Sequence, residues 1–490
     1  MVTFIIGLVV LTVGALIYGR ICEKTVKPTD RKTPAEEKFD GVDFVPMSKW
    51  KNSLIELLNI AGTGPILGPI QGILFGPIAF ITIPIGCVLG GAFHDYMVGM
   101  ISVRNDGEQM PGLIRRFLGK NFYKLFNIYV SLMLLLVGAV WIYTPGDLFI
   151  TQLMNKESSL SNPLMWAVYG VIFLYYLVAT LLPIDKIIGK IYPIFGGVLI
   201  LSALGVFAGL FIKGYTLGEI WESGFSFINP YGERFIPIFF VTVACGIVSG
   251  FHSTQATIIS RTMKNEHEGR RTFYDMMILE GFIAMVWAAA AMGAVNAGLI
   301  TNDMLHDSPT SVVGIVAKDM LGTIGGTIAI IGVIVLPITS GDTAMRSLRI
   351  MIADALHIDT GKKKNNLLIS LPIFILVSAL LIFAKSNESG FNLLWRYFSW
   401  SNETIAAFSF AVISVYMLRN GMPYLMALIP GMFYTYVCTC YILSAKIGFG
   451  LPWAAAYIIS GVFAFVYAAA IVNYGKKTKA DSLPAGKSAG

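Results

Sequence analysis

The chain has 490 residues, of which 55% are hydrophobic and 13% charged, and its mean hydropathy is +0.70. Apolar runs of about 20 residues, each long enough to cross a hydrocarbon core of about 30 Å, exclude a soluble globular protein and read as an all-α polytopic membrane protein. The net charge of +7 does not point to nucleic acid, because the basic residues gather in loops at alternate ends of the apolar spans.

About thirteen spans are expected. Span 1 covers about 2–22; it opens without a basic stretch and ends at Arg20 and Lys24 with no small-residue cleavage site, so it reads as a retained helix rather than a signal peptide. A polar loop of mixed charge fills about 23–53, and span 2 covers about 54–73. Span 2 contains NIAGTGPILGPIQGILFGP, Asn59 to Pro77, with glycine at 64, 68, 72 and 76 and proline at 65, 69 and 77. Pro65 has no N–H, so the carbonyl of Ala61 loses its helical partner, and Pro69 does the same to the carbonyl of Pro65. Inside a bilayer such freed groups are tolerated only where protein or a watery cavity satisfies them. The stretch is therefore either a broken helix beside a ligand, centred on Ala61–Pro65, or a Gly-rich face packed closely on a neighbour.

Spans 3 to 6 follow at about 77–102, 124–145, 163–184 and 191–213. Span 7, about 235–258, is also interrupted near its middle, at Gly246-Ile-Val-Ser-Gly250. Span 8 covers about 274–298, a short amphipathic segment about 309–320 and span 9 about 322–345. Spans 10 to 13 lie at about 366–385, 401–419, 423–445 and 452–474, and the tail after Tyr474 reads as disordered. With the amino terminus outside and the carboxyl terminus inside, most of the 36 Lys and Arg fall on the cytoplasmic side. Five cysteines, an odd number lying mostly in spans, have neither zinc-site spacing nor a disulfide framework.

The start of one interrupted span and the start of the other are five spans apart, an odd number, so spans 2–6 and 7–11 run in opposite orientations. Paired interruptions in two inverted halves point to a secondary-transporter site near the bilayer midplane. The chain then divides into a leading helix and loop (1–53), a first five-helix repeat (54–213), an inverted second repeat (214–420) and two final helices with a tail (421–490). Substrate is expected at Asn59, Ala61, Gly62, Thr63 and Gly64 of span 2 and at Gly246, Ser249, Gly250, His252 and Gln255 of span 7.

Ionisable groups in a bilayer are costly and mark functional positions. Span 3 carries His94 and Asp95, span 8 Glu280, and span 9 Thr339, Ser340, Asp342 and Thr343, with Arg346 one turn on. Asp95 is either a structural anchor or a proton-coupling carboxylate, and a histidine beside it can titrate near neutral pH. Asp342 and Arg346, four apart, either form an ordinary salt bridge or serve coupling. The hydroxyls of Thr339, Ser340 and Thr343, opposite carbonyls freed at Ala61 and Gly62, suit a monovalent cation. No cluster suits a transition metal, no Walker or Rossmann fingerprint appears, and no cofactor or enzymatic activity is expected.

NIAGTGPILGP, GGAFHDYMVGMISVRNDG and SGFHSTQATIISR resemble the signature segments of the carbon starvation protein A family of bacterial membrane permeases. The resemblance runs from about Asn59 to Leu356. It implies a LeuT-type inverted five-plus-five core of the amino acid–polyamine–organocation superfamily, with spans 2 and 7 unwound at the substrate and span 9 beside a cation site. It implies an inner-membrane symporter, driven by protons or sodium, for pyruvate or small peptides during nutrient limitation. A passive channel and a non-transporting sensor are the alternatives.

Overall fold

The computed structural model describes residues 1–41, 43–181, 184–222, 227, 229–359, 362–387 and 390–481. Its helices are α1 (Val2–Val26), α2 (Lys49–Ile60), α3 (Gly64–Gly72), α4 (Ala79–Val103), α5 (Met110–Leu118), α6 (Lys120–Leu153), α7 (Pro163–Leu181), α8 (Ile184–Ile212), α9 (Phe240–Ile247), α10 (Gly250–Ile259), α11 (Glu266–Asn296), α12 (Pro309–Leu356), α13 (Lys363–Ser386), α14 (Gly390–Arg419), α15 (Leu425–Ser444) and α16 (Trp453–Asp481). Among the described residues eleven spans are long and apolar enough to cross a membrane, or twelve when the bent pair α2–α3 counts as one. The expected count of thirteen also needed span 5, which corresponds to α7; its apolar described part, Pro163–Ala179, is shorter than these.

Lipid-facing and core-facing helices are separated by composition. On α1 the side chains of Val9, Val13, Leu16 and Ile17 are exposed, while Phe4, Leu11 and Cys22 are buried against the bundle. α10, α11 and α14 are buried along most of their length, which is why they carry polar residues that lipid would not accept. α3 passes to α4 through a tight turn at Gly76, whose φ of +82° suits a residue without Cβ. α12 is bent at Gly322 (φ +69°), so the expected amphipathic segment and span 9 join into one kinked element. α16 continues to Asp481, seven residues past the point where disorder was expected; its regular i to i−4 hydrogen bonds carry Lys476, Lys477 and Lys479 beyond the apolar stretch. Residues 482–490 lie outside the described residues.

Two long-range seams tie the ends of the bundle. At one end, Glu219 in the loop after α8 caps the start of α1. Its carboxylate accepts the N–H groups of Val2 and Thr3, both at 2.7 Å, and the Thr3 hydroxyl, and it pairs with the Met1 amino group. Helix N-termini leave such donors without partners, and an anion there also complements the helix dipole. Burial alone would raise the Glu219 pKa, but these donors outweigh it and bring the group down to about 2.

At the opposite, basic end, the segment between α1 and α2 is laced to the residues that follow α10. Met47 N–H donates to Thr262 O at 2.9 Å, Asn52 Nδ2 to the same oxygen at 3.0 Å, and Thr33 Oγ1 to Met263 O. Glu266, fully buried, receives Arg104 at 2.9 Å, Arg31 at 2.7 Å and the Thr29 N–H at 3.0 Å.

Candidate functional site: two adjoining helix breaks

The first break is a single inverse γ-turn. Ala61 has φ −77° and ψ 60°, and Gly62 N–H donates to Ile60 O at 2.8 Å. Pro65 then sits in the first turn of α3, where a missing N–H costs no helical bond. Pro69, expected to extend the disruption, lies inside α3, and the helix runs on through Gly72.

The second break is two extended residues, Val248 (φ −149°, ψ 134°) and Ser249 (φ −132°, ψ 124°), between α9 and α10. It is narrower than Gly246–Gly250. Asn402, on α14, closes it: its Oδ1 accepts Phe251 N–H at 2.7 Å and Ser249 Oγ–H at 3.0 Å, and its Nδ2 reaches Cys245 Sγ at 3.4 Å. One amide thus serves both ragged helix ends, which a bilayer could not satisfy.

The breaks lie side by side. A Cβ on Gly64 would fall 2.3 Å from Cys245 Sγ, and one on Gly68 2.6 Å from Thr242 O, so α3 and α9 run antiparallel in near-backbone contact. The close-packing reading, expected for Gly68, Gly72 and Gly76, therefore holds for Gly64, Gly68 and Gly72, and fails at Gly76, where an added Cβ would meet nothing within 4 Å and the glycine serves the turn instead. It extends to Gly246, against Ala284 and Pro69, and to Gly250, against the backbone of α14. The groups left facing the first break are different in kind. Gly62 lies against the Trp141 indole, which packs edge-on against Phe251 at 4.7 Å. Trp141 Nε1 and Thr63 Oγ1 are buried without a hydrogen-bond partner within the protein, as is Asn59 Nδ2.

The span 9 hydroxyls meet span 2 one turn away from the expected carbonyls. Ser340 Oγ donates to Leu58 O at 2.7 Å, and Thr343 Oγ1 to Asn59 Oδ1 at 3.3 Å, while Thr339 Oγ1 returns to Leu336 O on its own helix. The contact falls on Leu58 and Asn59 because α2 stays helical to Ile60, which sets the register of that face. Asp342 receives the Tyr175 hydroxyl at 3.4 Å. Arg346 donates to Ala179 O at 2.6 Å and lies 3.8 Å from Asp43.

His94, Asp95 and His252 come together in the core. His94 Nδ1 lies 2.7 Å from Asp95 Oδ1, and His252 Nδ1 2.9 Å from Asp95 Oδ2. Gln255, one turn further along α10, donates to Thr254 Oγ1 at 2.8 Å and does not join them. Sequence reasoning left Glu280 without a role and did not single out Glu56, Trp141, Asn402 or Glu403. Glu56, Glu280, Asn402 and Glu403 are fully buried, and Trp141 nearly so.

Cavities open toward both ends. One is lined by Gln71, Glu233, Thr242, His306, Arg396 and Tyr441, between α3, α9 and α14; Arg396 and Glu233 form an ion pair there at 3.4 Å. The other, of about 500 Å³ at the basic end, is lined by Glu108, Arg115, Arg261, Asp354, His357 and Asp359 among others.

A family model described as carbon starvation protein CstA matches residues 1–152, 146–320 and 309–441. The chain belongs to that family. An uncharacterized membrane protein of Haemophilus influenzae is 40% identical to this CstA-family chain over 338 residues, 60% of this chain and 91% of the other. The peptide transporter CstA of Escherichia coli (strain K12) is 25% identical over 541 residues, 82% of this chain and 74% of that one. The peptide transporter CstA of Helicobacter pylori (strain 26695) is 26% identical over 365 residues, 59% of this chain and 50% of that one, so the match spans half of that relative's length. Among solved structures, the Eremococcus coleocola manganese transporter in complex with an aromatic bis-isothiourea substituted compound superposes with a TM-score of 0.62 at 12% identity, covering 90% of this chain and 98% of that one. MhsT in complex with L-phenylalanine gives 0.56 at 13% identity, covering 88% and 99%. At such identities the likeness concerns the fold alone, an all-helical membrane bundle; that this CstA-family chain is a membrane transporter rests on its family and its transporter relatives.

Proposed function

We propose that this protein is a secondary active transporter that imports a small carboxylate, such as pyruvate, or a small peptide across the cytoplasmic membrane, driven by a proton or sodium gradient. One observation carries this: two discontinuous helices meet at one level in the core, with the unpartnered donors of Trp141 and Thr63 beside the first break. Broken helices at a common depth are how transporters expose backbone and dipole ends to a substrate without stranding polar groups in lipid. The positive end of α3 starts at Gly64, where a carboxylate is favoured. The names of the relatives favour peptides, and the resemblance of the signature segments favours either substrate.

In this scheme the two halves are inverted five-helix repeats, and the basic end faces the cytoplasm. Ala61, Gly62, Thr63 and Ser249 line the substrate. Asn59, Ser340 and Thr343 brace α2 against α12, where a sodium site would lie if sodium drives transport. The Arg396–Glu233 cavity is the outer approach and the Asp354–His357 cavity the inner one.

The test is uptake of radiolabelled pyruvate and of a dipeptide into proteoliposomes under imposed proton or sodium gradients. Accumulation of one of them above its outside concentration, abolished when the gradient is collapsed, is expected. Flux that only equilibrates and ignores both gradients means a channel and refutes secondary active transport.

A further inference from the structure

Four helices converge on one buried cluster of acids and imidazoles. α4 supplies His94 and Asp95, α10 His252, α11 Glu280 and α2 Glu56, and none of the five side chains is exposed. Asp95 is the hub, with one carboxylate oxygen on each imidazole. The far side of the His252 ring turns Nε2 toward Glu280 Oε2 at 3.6 Å. Glu56 lies near both Asp95 and Glu280 in the core. No oxygen of Glu56 or Glu280 has a hydrogen-bond partner within the protein.

The surroundings supply no fixed cation among the described residues. Cys87, on α4, and Cys245, on α9 just before the second break, lie near Glu280. Glu403 of α14 lies near Cys245. On α12, Asp342 turns to Tyr175 and Arg346 to Ala179 and Asp43. On α5, Arg115 and Arg116 pair with Glu108, and Glu23 of α1 pairs with Arg270 at the start of α11. Three carboxyls therefore share one enclosure with two imidazoles. With every group ionised the cluster holds a net negative charge away from water, which is strongly unfavourable; one added proton makes it neutral. Both Asp95 oxygens are already engaged by nitrogen, so that proton belongs on a carboxyl without a donor, and Glu280 is the one beside an imidazole nitrogen.

Resting on the transporter function proposed above, we propose that Glu280, held beside His252 and Asp95 with Glu56 opposite, is the binding site of the coupling ion, and that the ion is a proton. The placement explains how occupancy moves the protein. Glu56 and His252 sit on α2 and α10, the halves of the broken spans that lie toward the basic end, whereas Asp95 and Glu280 sit on helices that cross the core without those breaks. A proton on Glu280 leaves the cluster neutral and the two half-helices docked, as in this structure. Its loss leaves Glu280 carboxylate facing Glu56 and Asp95, and repulsion loosens the docked halves. The step is a proton transfer only: the O–H bond of the Glu280 carboxyl breaks, the proton passes to water admitted as the halves part, and a carboxylate remains. Two imidazoles in line with carboxyls suit a proton; they do not form the all-oxygen shell that a hard cation takes.

The first test needs no substrate. Infrared difference spectra of the purified protein between about pH 5 and about pH 8 should contain the carbonyl stretch of a protonated carboxyl that titrates, and Glu280→Gln should lack it. A wild type without such a band, or a Glu280→Gln protein that keeps it, overturns the assignment. The second test is the steady-state accumulation ratio of dipeptide or pyruvate under a gradient of about one pH unit, which supports about tenfold accumulation per proton carried. The ratio is independent of turnover rate. It should fall to about one in Glu280→Gln; a slower approach to the wild-type ratio marks a merely structural residue and overturns the proposal. If wild-type protein accumulates neither compound, transport of these substrates is refuted, and the infrared result still decides the site.

Discussion

Gly250→Ala is the sharpest test of the second break. Gly250 opens α10, and a Cβ there would fall 2.2 Å from Asn402 O, 2.4 Å from Ala406 N and 2.6 Å from Ile405 Cβ. Two of these neighbours are backbone of α14, which cannot rotate away as a side chain would. Ordinary carbon contacts begin at about 3.5 Å, so α14 and α10 must part by about 1 Å or more. That separation also pulls Asn402 from Phe251 N–H and Ser249 Oγ. Overpacking costs about 1–3 kcal/mol and a stranded buried donor a further 1–3 kcal/mol, so destabilisation of about 2–6 kcal/mol is expected. The assays are melting of the purified protein in detergent and initial uptake in proteoliposomes. The comparison is Gly461→Ala on α16, where an added Cβ meets nothing within 4 Å. Gly250→Ala should lower the melting temperature by a few degrees, about 1 °C per kcal/mol for a chain of this length, and reduce uptake sharply. If Gly250→Ala melts and transports like Gly461→Ala, the close docking of α10 on α14 does not exist in the functional protein.

Asn402→Ala should lose the cap of the second break and about 1–3 kcal/mol, whereas Asn402→Asp, which keeps an acceptor oxygen, should recover part of the melting temperature; equal losses in the two would refute the capping role. Glu266→Gln leaves the partly buried Arg104 without its charge partner; breaking a fully buried pair costs about 3–5 kcal/mol, so a loss of up to about that size is expected, read as a lowered melting temperature. An unchanged melt would mean that the hub at the basic end contributes nothing to stability. For Glu219 the sign follows from its lowered pKa. Its contribution is complete above the ordinary value of 4.5 and is lost as pH falls through about 2. Wild type should therefore outlast Glu219→Gln at neutral pH, and the difference should shrink below about pH 4.5; a difference that grows on acidification would contradict the capping of α1.

The helix breaks were legible because proline and glycine act locally. Pro65 forbids a helical hydrogen bond wherever the chain is placed, and Ala61–Thr63 is where the helix yields. Asn402 and Glu403 were overlooked because the span was expected to begin at about 401, which made them boundary residues. α14 in fact starts at Gly390 and places them mid-helix and buried. The run NLLWRYFSWSNET, polar and aromatic, does not look like a membrane helix, but a helix shielded by α9, α10 and α15 need not be apolar on every side. Glu56 stood in plain view one turn before Asn59, and no local signal said that it would face Asp95. Which carboxyl meets which imidazole is set by the packing of α2, α4, α10 and α11, and sequence spacing does not contain that information. The offset of Ser340 and Thr343 by one turn has the same origin, since a helix ending at Ile60 rather than earlier shifts every partner on its face.

The lacing of the 27–52 segment onto the residues after α10 has a consequence for how the protein is made. Its hydrogen bonds link residues 210 to 237 positions apart. At about 5–20 residues per second, the segment leaves the ribosome about 10–50 s before its seat exists. Through that interval a strap of mixed charge, Arg104 and the open flank of α2 wait at the membrane surface with their partners unsynthesised. The early helices are thus exposed to proteolysis and mispairing until the seventh span inserts, and truncations that stop before Glu266 should be degraded rather than retained as stable half-bundles.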